Sequence, residues 1–166
     1  MATEQLYSTG VTNSRAHANN DKRVVGGIVK DAVATFEVGV KDAGSIYRVC
    51  RLPSSARMKL ISIKCDAALV GGPVDIGLYP TGSSTAIDAD CYANDVDVET
   101  AAITTGESNY KFTTLDIAKI EQFLWQDAGL TTEPIRGTLY DLCVTTSTAI
   151  TTGGTISMIV EYMDGN

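Results

Sequence analysis

From Val33 onward, apolar residues recur at every second position, and short turn sequences interrupt the pattern. In VDIGLY, for example, Val74, Ile76 and Leu78 fall on one side and polar or small residues on the other. A period of two is that of a half-buried β-strand. About eight such segments follow at intervals of roughly 10 to 18 residues, which predicts an all-β fold, an antiparallel β-sandwich or barrel.

The stretch RVCRLPSSARMKLISI shows how two predicted strands are joined. Pro53 fixes φ, and the hydroxyls of Ser54 and Ser55 can bond back to the backbone, so the chain is expected to reverse here. Along the chain, the alternation puts the following residues on shared apolar sides: Phe36, Val38, Val40; Ile61, Ile63, Cys65 (opposite Met58, Leu60, Ser62); Val74, Ile76, Leu78; Tyr140, Leu142, Val144; and Ile156, Met158, Val160, Tyr162.

One segment departs from the period of two. Ile117, Ile120 and Leu124 lie at helical spacing, Thr113 is a candidate N-cap, and Gly129 is a candidate residue just beyond the helix end. The pattern predicts one short helix near residues 114–128. Within it, the single tryptophan, Trp125, is expected to pack in the core or anchor an interface rather than bind a ligand.

Residues 1–32 have no apolar period and are predicted to form an extended N-terminal arm, followed by a single β-sandwich domain at 33–166. The segment STGVTNSRAHANNDKR is polar and rich in Asn. Such an arm can be idle, or it can become ordered on a partner; the sequence leaves both readings open.

Composition narrows the classes of function. The chain has 166 residues, 44% of them hydrophobic and 20% charged, which is enough for one well-packed domain. A formal net charge of -7 argues against a nucleic-acid partner, because phosphate contacts need clustered Lys and Arg. No segment reads as a secretory signal or a membrane span, so no membrane partner is expected.

The residues that usually carry catalysis are sparse. The one histidine, His17, lies in the predicted arm, and no nucleophile elbow, zinc-protease motif or phosphate loop is present. Cys50, Cys65, Cys91 and Cys143 are widely spaced. They could be zinc ligands or disulfides, but we favour small buried residues of a protein made in a reducing cytoplasm. We therefore predict no enzyme, no catalytic residue, no cofactor and no small-molecule substrate.

The acidic segment DADCYANDVDVE keeps one alternative open. Its spacing of carboxylates could hold a hard cation such as calcium, although Tyr92 at the third ligand position and the lack of a central Gly exclude an EF-hand. The other reading is an edge strand whose charges prevent edge-to-edge pairing, and on this reading no metal is bound. The acidic residues are Asp88, Asp90, Asp95, Asp97 and Glu99.

The order of several segments is similar to that of small head structural proteins of tailed bacteriophages. The matching segments span about residues 33 to 163: Ile46-Tyr47-Arg48, Arg51-Leu52-Pro53-Ser54, Ala56-Arg57, Asp75 to Tyr79, LWQDAGLTTEP (Leu124 to Pro134), and the terminal strands with their Gly-Thr-Ile-Ser. The motifs are turns and strand faces. The segment at 1–32 lies largely outside the match.

This resemblance implies a structural virion protein of the capsid cement or decoration type, with a jelly-roll-like antiparallel β-sandwich. Such a protein would be made in the host bacterial cytoplasm, sit on the capsid exterior, and bind the major capsid protein and itself as a homotrimer. We expect the arm, with Arg15, Lys22 and Arg23, to supply basic contacts in an otherwise acidic chain, and Trp125 to contribute a further partner contact.

Two other classes of function remain open at this stage. The first is a carbohydrate- or receptor-binding β-sandwich module on the virion, which would need a platform of exposed aromatic side chains. The second is a metal-dependent hydrolase that uses Asp88 and Asp90.

Overall fold

The computed structural model describes residues 28–65, 70, 72–98, 119 and 121–164. Within these residues it contains seven β-strands and one α-helix of four residues. In chain order the elements are β1 (Ile28–Val38), β2 (Ile46–Pro53), β3 (Arg57–Cys65), β4 (Val74–Pro80), β5 (Asp88–Val96), α1 (Leu124–Asp127), β6 (Leu139–Thr146) and β7 (Gly154–Asp164).

The strands form two antiparallel sheets. The three-stranded sheet has the order β1-β7-β3, and the four-stranded sheet has the order β2-β6-β4-β5. Strands β1 to β4 alternate between the sheets, while the late strands β6 and β7 each insert between two earlier ones. This nesting of late strands between early ones is typical of jelly-roll sandwiches, and the predicted antiparallel β-sandwich is confirmed.

The core lies between the sheets and comes mainly from the alternating positions. Val74, Ile76 and Leu78 of β4 are fully buried, as the sequence predicts. Of the other residues predicted to share apolar sides, Val40 is the clear exception, because it follows the end of β1 and is 70% exposed. The buried core also includes Leu52, Tyr92, Leu124 and Ile150.

The turn between β2 and β3 is held by the short helix. The first N–H groups of a helix lack intrahelical partners, and here Leu124 N–H donates to the Ala56 carbonyl (2.9 Å) and Trp125 N–H to the Ser54 carbonyl (3.2 Å). Beneath the helix, the buried Tyr92 hydroxyl donates to Asp127 Oδ2 at 2.9 Å. The segments RLPSSAR and LWQDAGL therefore dock on each other.

The helix predicted near residues 114–128 is described only in part, because residues 113–118 and 120 lie outside the described residues. Residues 121–123 are not helical, and α1 begins only at Leu124, because its first N–H groups bond to the β2–β3 turn instead of to a preceding helical turn. Thr113 lies outside the described residues. The predicted end is confirmed: Gly129 has φ of 74°, and Gly129 and Leu130 N–H bond back to the Gln126 and Trp125 carbonyls.

Strand β1 begins at Ile28, inside the segment 1–32 that the sequence assigns to an arm. All eleven of its residues pair with β7, from Ile28 opposite Asp164 to Val38 opposite Gly154. Residues 1–27 lie outside the described residues.

A β-bulge corrects one predicted side assignment in β3. The ladder to β7 shifts between Met58 and Leu60. The extra residue brings Met58 to the same side as Ile61, and both are buried. Strict alternation had put Met58 and Ile61 on opposite sides.

Candidate functional site

A second bulge arranges charged residues on the outer face of the four-stranded sheet. Arg48 and Arg51 are three positions apart, so a regular strand would direct them to opposite faces. The ladder between β2 and β6 shifts at Val49, between Arg48 and Cys50. Arg48 then lies opposite Cys143 and Arg51 opposite Asp141, so both arginines reach the outer face.

The two arginines meet on one buried carboxylate. Arg48 Nη1 lies 2.9 Å from Asp141 Oδ2, and Arg51 Nε lies 2.9 Å from Asp141 Oδ1. The Asp141 side chain is only 3% exposed, whereas those of Arg48 and Arg51 are 36% and 53% exposed. We call these three residues the arginine–aspartate cluster; it carries a formal net charge of +1.

The loop after β4 folds over this cluster. Gly82 N–H donates to Asp141 Oδ2 at 3.1 Å, and Arg48 Nη2 donates to the Ser83 carbonyl at 2.6 Å. Thr81 Oγ1 donates to the Leu139 carbonyl at 3.0 Å. Two loop groups bond to Asp141 and Arg48 and a third bonds to the Leu139 carbonyl, so the loop is fixed to the outer face of the sheet.

Tyr79 and Gly77, in the segment Asp75 to Tyr79, also have packing roles on the outer face of the four-stranded sheet. Tyr79 is predicted to point outward, and its hydroxyl is 2.8 Å from Thr145 Oγ1 on that outer face, yet its side chain is buried. A Cβ at Gly77 would overlap the backbone of Asp88 and Ala89. Asp75-Ile76-Gly77-Leu78-Tyr79 is thus a packing motif that lets β5 lie close to β4.

The chemistry of this face is structural rather than catalytic. Burial alone would raise the pKa of Asp141, but the hydrogen bonds from Arg51 and Gly82 and the two guanidinium charges outweigh it and hold the pKa below its ordinary value. The carboxylate is therefore a poor proton acceptor. Burial raises the pKa of the Cys50 and Cys143 thiols to about 12, so neither is a ready nucleophile.

The outer face of the three-stranded sheet is different. Val29 and Val33 of β1 are 49% and 67% exposed, and Ile159 of β7, directly opposite Val33, is 39% exposed. We call these three residues the outer apolar row. Val33 and Ile159 are direct neighbours, and Val29 lies on the same face beyond Asp31 and Glu161. Exposed apolar side chains grouped on one sheet face are a feature of protein–protein contacts.

Of the four residues predicted to bind a partner, the structure describes one. Arg15, Lys22 and Arg23 lie outside the described residues. Trp125 is half-buried and packs against the core, consistent with its expected packing role, and its buried Nε1 has no hydrogen-bond partner among the described residues. None of the four cysteines is in a disulfide, and each lies in a different strand: Cys50, Cys65, Cys91 and Cys143.

The acidic segment forms strand β5 at the edge of the four-stranded sheet. Asp90 N–H lies 3.3 Å from Asp88 Oδ1, and the Asp88 carboxylate raises the pKa of Asp90, first by a side-chain hydrogen bond. Asp95 has φ of 54°, and its N–H bonds to Asp75 Oδ1. Within the described residues, no three His, Cys, Asp or Glu side chains are grouped so as to hold a metal ion; Glu99 is not described.

Nor does the described surface show the features of the two rival functions. None of its aromatic side chains is among the exposed residues, whereas a glycan platform needs several. One shallow depression of about 250 Å³ is lined by Lys64, Cys65, Thr155 and Ser157, and these include no carboxylate. In the described part of the chain, no helix has the length and apolarity of a membrane span.

Comparison with solved structures found similar chains in three phage capsids. A chain of the capsid of Ralstonia phage GP4 matches with 17% identity and a TM-score of 0.50, over 82% of this chain and 86% of that chain. A chain of the cyanophage Pam1 capsid asymmetric unit matches with 18% identity, a TM-score of 0.44, and coverage of 82% and 85%. A chain of the capsid of Helicobacter pylori bacteriophage KHP30 matches with 11% identity, a TM-score of 0.42, and coverage of 84% and 90%.

At these identities, the match to the GP4 capsid chain shows a shared fold. No family model matches the sequence, and no curated protein matches it.

Sequence reasoning missed both features of the outer faces. Arg48 and Arg51 stand in the phage-like motif, but their convergence on Asp141 depends on the bulge at Val49, which has no Gly or Pro to signal it. The outer apolar row was missed for a related reason. Val29 lies before the predicted start of the first strand, and Ile159 occupies the side of β7 that the alternation does not mark as apolar.

Proposed function

We propose that this protein is a non-enzymatic structural component of a bacteriophage virion, a cement or decoration protein that binds the assembled head shell. The observation that carries the proposal is the outer apolar row, in which Val29, Val33 and Ile159 are exposed together on one face of the three-stranded sheet. The similarity of segments to phage head proteins and the fold shared with the GP4 capsid chain support it.

In the proposed mechanism, binding of the protein stabilises the assembled shell by mass action. A protein that binds the assembled lattice, and not the separated subunits, stabilises the lattice. A rigid sandwich suits this role because little conformational entropy is lost on binding. The apolar row would pack against the major capsid protein on the exterior of the shell, and the sandwich would form a homotrimer.

The N-terminal segment is proposed to supply a second contact. Arg15, Lys22 and Arg23 would approach acidic groups of the shell or of a neighbouring protomer. Since β1 starts at Ile28, the segment leads into the strand that carries Val29 and Val33. Trp125 is proposed to contribute at the rim of the contact.

Co-sedimentation tests the proposal directly. The purified protein is mixed with assembled shells and, separately, with free shell subunits. We expect it to pellet with the shells and not to associate with the subunits. Absence of pelleting with intact shells would overturn the proposed function.

A truncation tests the role of the arm. Deletion of residues 1–27 leaves β1 and its ladder to β7 complete, whereas deletion to residue 32 would remove five paired residues of β1. The shorter deletion should keep the fold and lose shell binding. Binding equal to that of the full chain would remove the arm from the proposal while leaving the outer apolar row as the contact.

A further inference from the structure

Charges of opposite sign are segregated along the chain. Residues 46–64 contain five basic side chains and no acidic one, whereas residues 74–98 contain five acidic side chains and no basic one. The basic residues are Arg48, Arg51, Arg57, Lys59 and Lys64, and the acidic residues are Asp75, Asp88, Asp90, Asp95 and Asp97.

Among the described strands, only part of each segment lies at an edge of the four-stranded sheet. Arg57, Lys59 and Lys64 lie on β3 of the other sheet, and Asp75 lies on the inner strand β4. In the order β2-β6-β4-β5, β2 with Arg48 and Arg51 is one edge, and β5 with Asp88 and Asp90 is the other. Adjacent strands lie about 4.8 Å apart, so roughly 14 Å separates β2 from β5 within one copy. The two edges therefore do not neutralise each other inside the protein.

Each edge retains unused capacity for a charged partner. Arg51 uses Nε to bond Asp141, an arrangement that fixes its orientation, and its side chain remains 53% exposed. A guanidinium has five donors, and its outer edge matches a carboxylate. On β5, Asp90 is exposed and its N–H lies 3.3 Å from Asp88 Oδ1, so the two carboxylates are near neighbours and a nearby cation would offset their repulsion.

We propose that the partner of each edge is a second copy of this chain, joined head to tail, with the β2 edge of one copy against the β5 edge of the next. The directions of the strands suit this contact. Every neighbouring pair in the sheet is antiparallel, so β5 runs opposite to β2, and the two edges can approach side by side without turning one sheet over.

A contact between two different edges is heterologous, and such contacts close into rings when the rotation between copies permits. The inference deepens the proposed function by naming the surface through which copies of the protein join on the shell. It rests on the proposed function only in taking the joined copies to close into a ring there. The contact itself is a property of the protein alone and can be measured without shells.

The test is the mass of the full-length protein in solution by sedimentation velocity over a concentration series. We compare the wild type, Asp90→Lys on β5, and Asp31→Lys on β1 of the other sheet, which makes the same charge change at another exposed aspartate. We expect the wild type to self-associate, Asp90→Lys to weaken association at least tenfold, and Asp31→Lys to leave it unchanged. Association should weaken with added salt.

A double variant separates lost contact from lost folding. Arg51→Glu with Asp90→Lys exchanges the charges of the two edges and should recover association relative to Asp90→Lys alone. Circular dichroism identifies a misfolded double variant, in which case Arg51→Gln replaces it and should weaken association without rescue.

Two results would overturn the inference: a monomeric wild type at every concentration, or equal effects of Asp90→Lys and Asp31→Lys. A protein that is monomeric in solution and still pellets with shells would overturn only the head-to-tail contact. One that self-associates as described but ignores shells would overturn only the proposed function.

Discussion

The outer faces of the two sheets are built in opposite ways. On the four-stranded sheet, a loop and two arginines cover the face, and Tyr79, Asp141 and Cys143 are buried there. On the three-stranded sheet, Val29, Val33 and Ile159 remain exposed. One face is largely covered by the protein itself, while the other leaves these apolar side chains exposed, which is why the proposed shell contact lies on the three-stranded sheet.

The difference between the two outer faces predicts opposite effects for substitutions on each. Changes on the covered face should cost stability and leave shell binding intact in the molecules that fold. Changes in the outer apolar row should weaken shell binding and leave the stability of the fold nearly unchanged. The following predictions are ordered by the size of their expected effect on folding.

Gly77→Ala should destabilise the protein the most. The added Cβ would meet the backbone of Asp88 and Ala89, which cannot move away as a flexible side chain could. We expect a loss of about 3 kcal/mol in the free energy of unfolding, measured by urea denaturation. Gly39→Ala is the matched control, since a Cβ there has open space; similar losses in both variants would contradict the close approach of β4 and β5.

Asp141→Asn should have the next largest effect. The change removes the charge that pairs with Arg48 and Arg51, and it replaces one accepting oxygen of the buried side chain with an N–H donor. Because both arginines are more than a third exposed, solvent screens part of the loss, and we expect about 2 kcal/mol. Urea denaturation measures it, with Asp42→Asn on the exposed β1–β2 loop as the control. A loss no greater than that of the control would mean that the arginine–aspartate cluster does not hold the face.

The effect of Asp141→Asn should depend on pH. The pKa of Asp141 is lowered in the folded protein, so its contribution is fully present above the unfolded value of about 3.9 and is lost as the pH falls through the lower folded value. The gap in unfolding free energy between wild type and Asp141→Asn should therefore be constant at neutral pH and shrink below about pH 4. A gap that widens in acid would show that the pKa is raised instead.

Val33→Thr combined with Ile159→Thr should have the smallest effect on folding. Both side chains are exposed and threonine favours strands, so the free energy of unfolding should change by less than about 1 kcal/mol. Shell binding in the co-sedimentation assay should weaken at least tenfold, because the apolar area of the contact is reduced. Retained binding together with retained stability would remove the outer apolar row from the proposed site.

How far the sequence predicts this molecule depends on how local each feature is. Val74, Ile76 and Leu78 are found from alternation because each position reports its own side of the strand. Gly129 is found because a residue at positive φ just after a helix favours glycine. The helix start at Leu124 is missed because the bonds that define it come from Ser54 and Ala56, about seventy residues earlier in the chain.

The candidate surfaces are harder to predict because they depend on register. The bulge at Val49 shifts Arg48 relative to Arg51, and alternation alone cannot locate it. The burial of Tyr79 requires the loop and Arg48 to fold over an outward side. Val33 and Ile159 lie side by side only because β1 and β7 are neighbours in the sheet. More than a hundred residues separate them in the sequence.

The pairing of β1 with β7 has a mechanical consequence. Ile28 and Asp164 lie opposite each other at the same end of the ladder, so a force that separates these two residues breaks the paired positions one after another. A pull on the N-terminal segment along the axis of β1 instead loads all eleven paired positions at once. A tether at the N-terminus would therefore hold best when tension runs along the strand, and it would peel when tension runs across it.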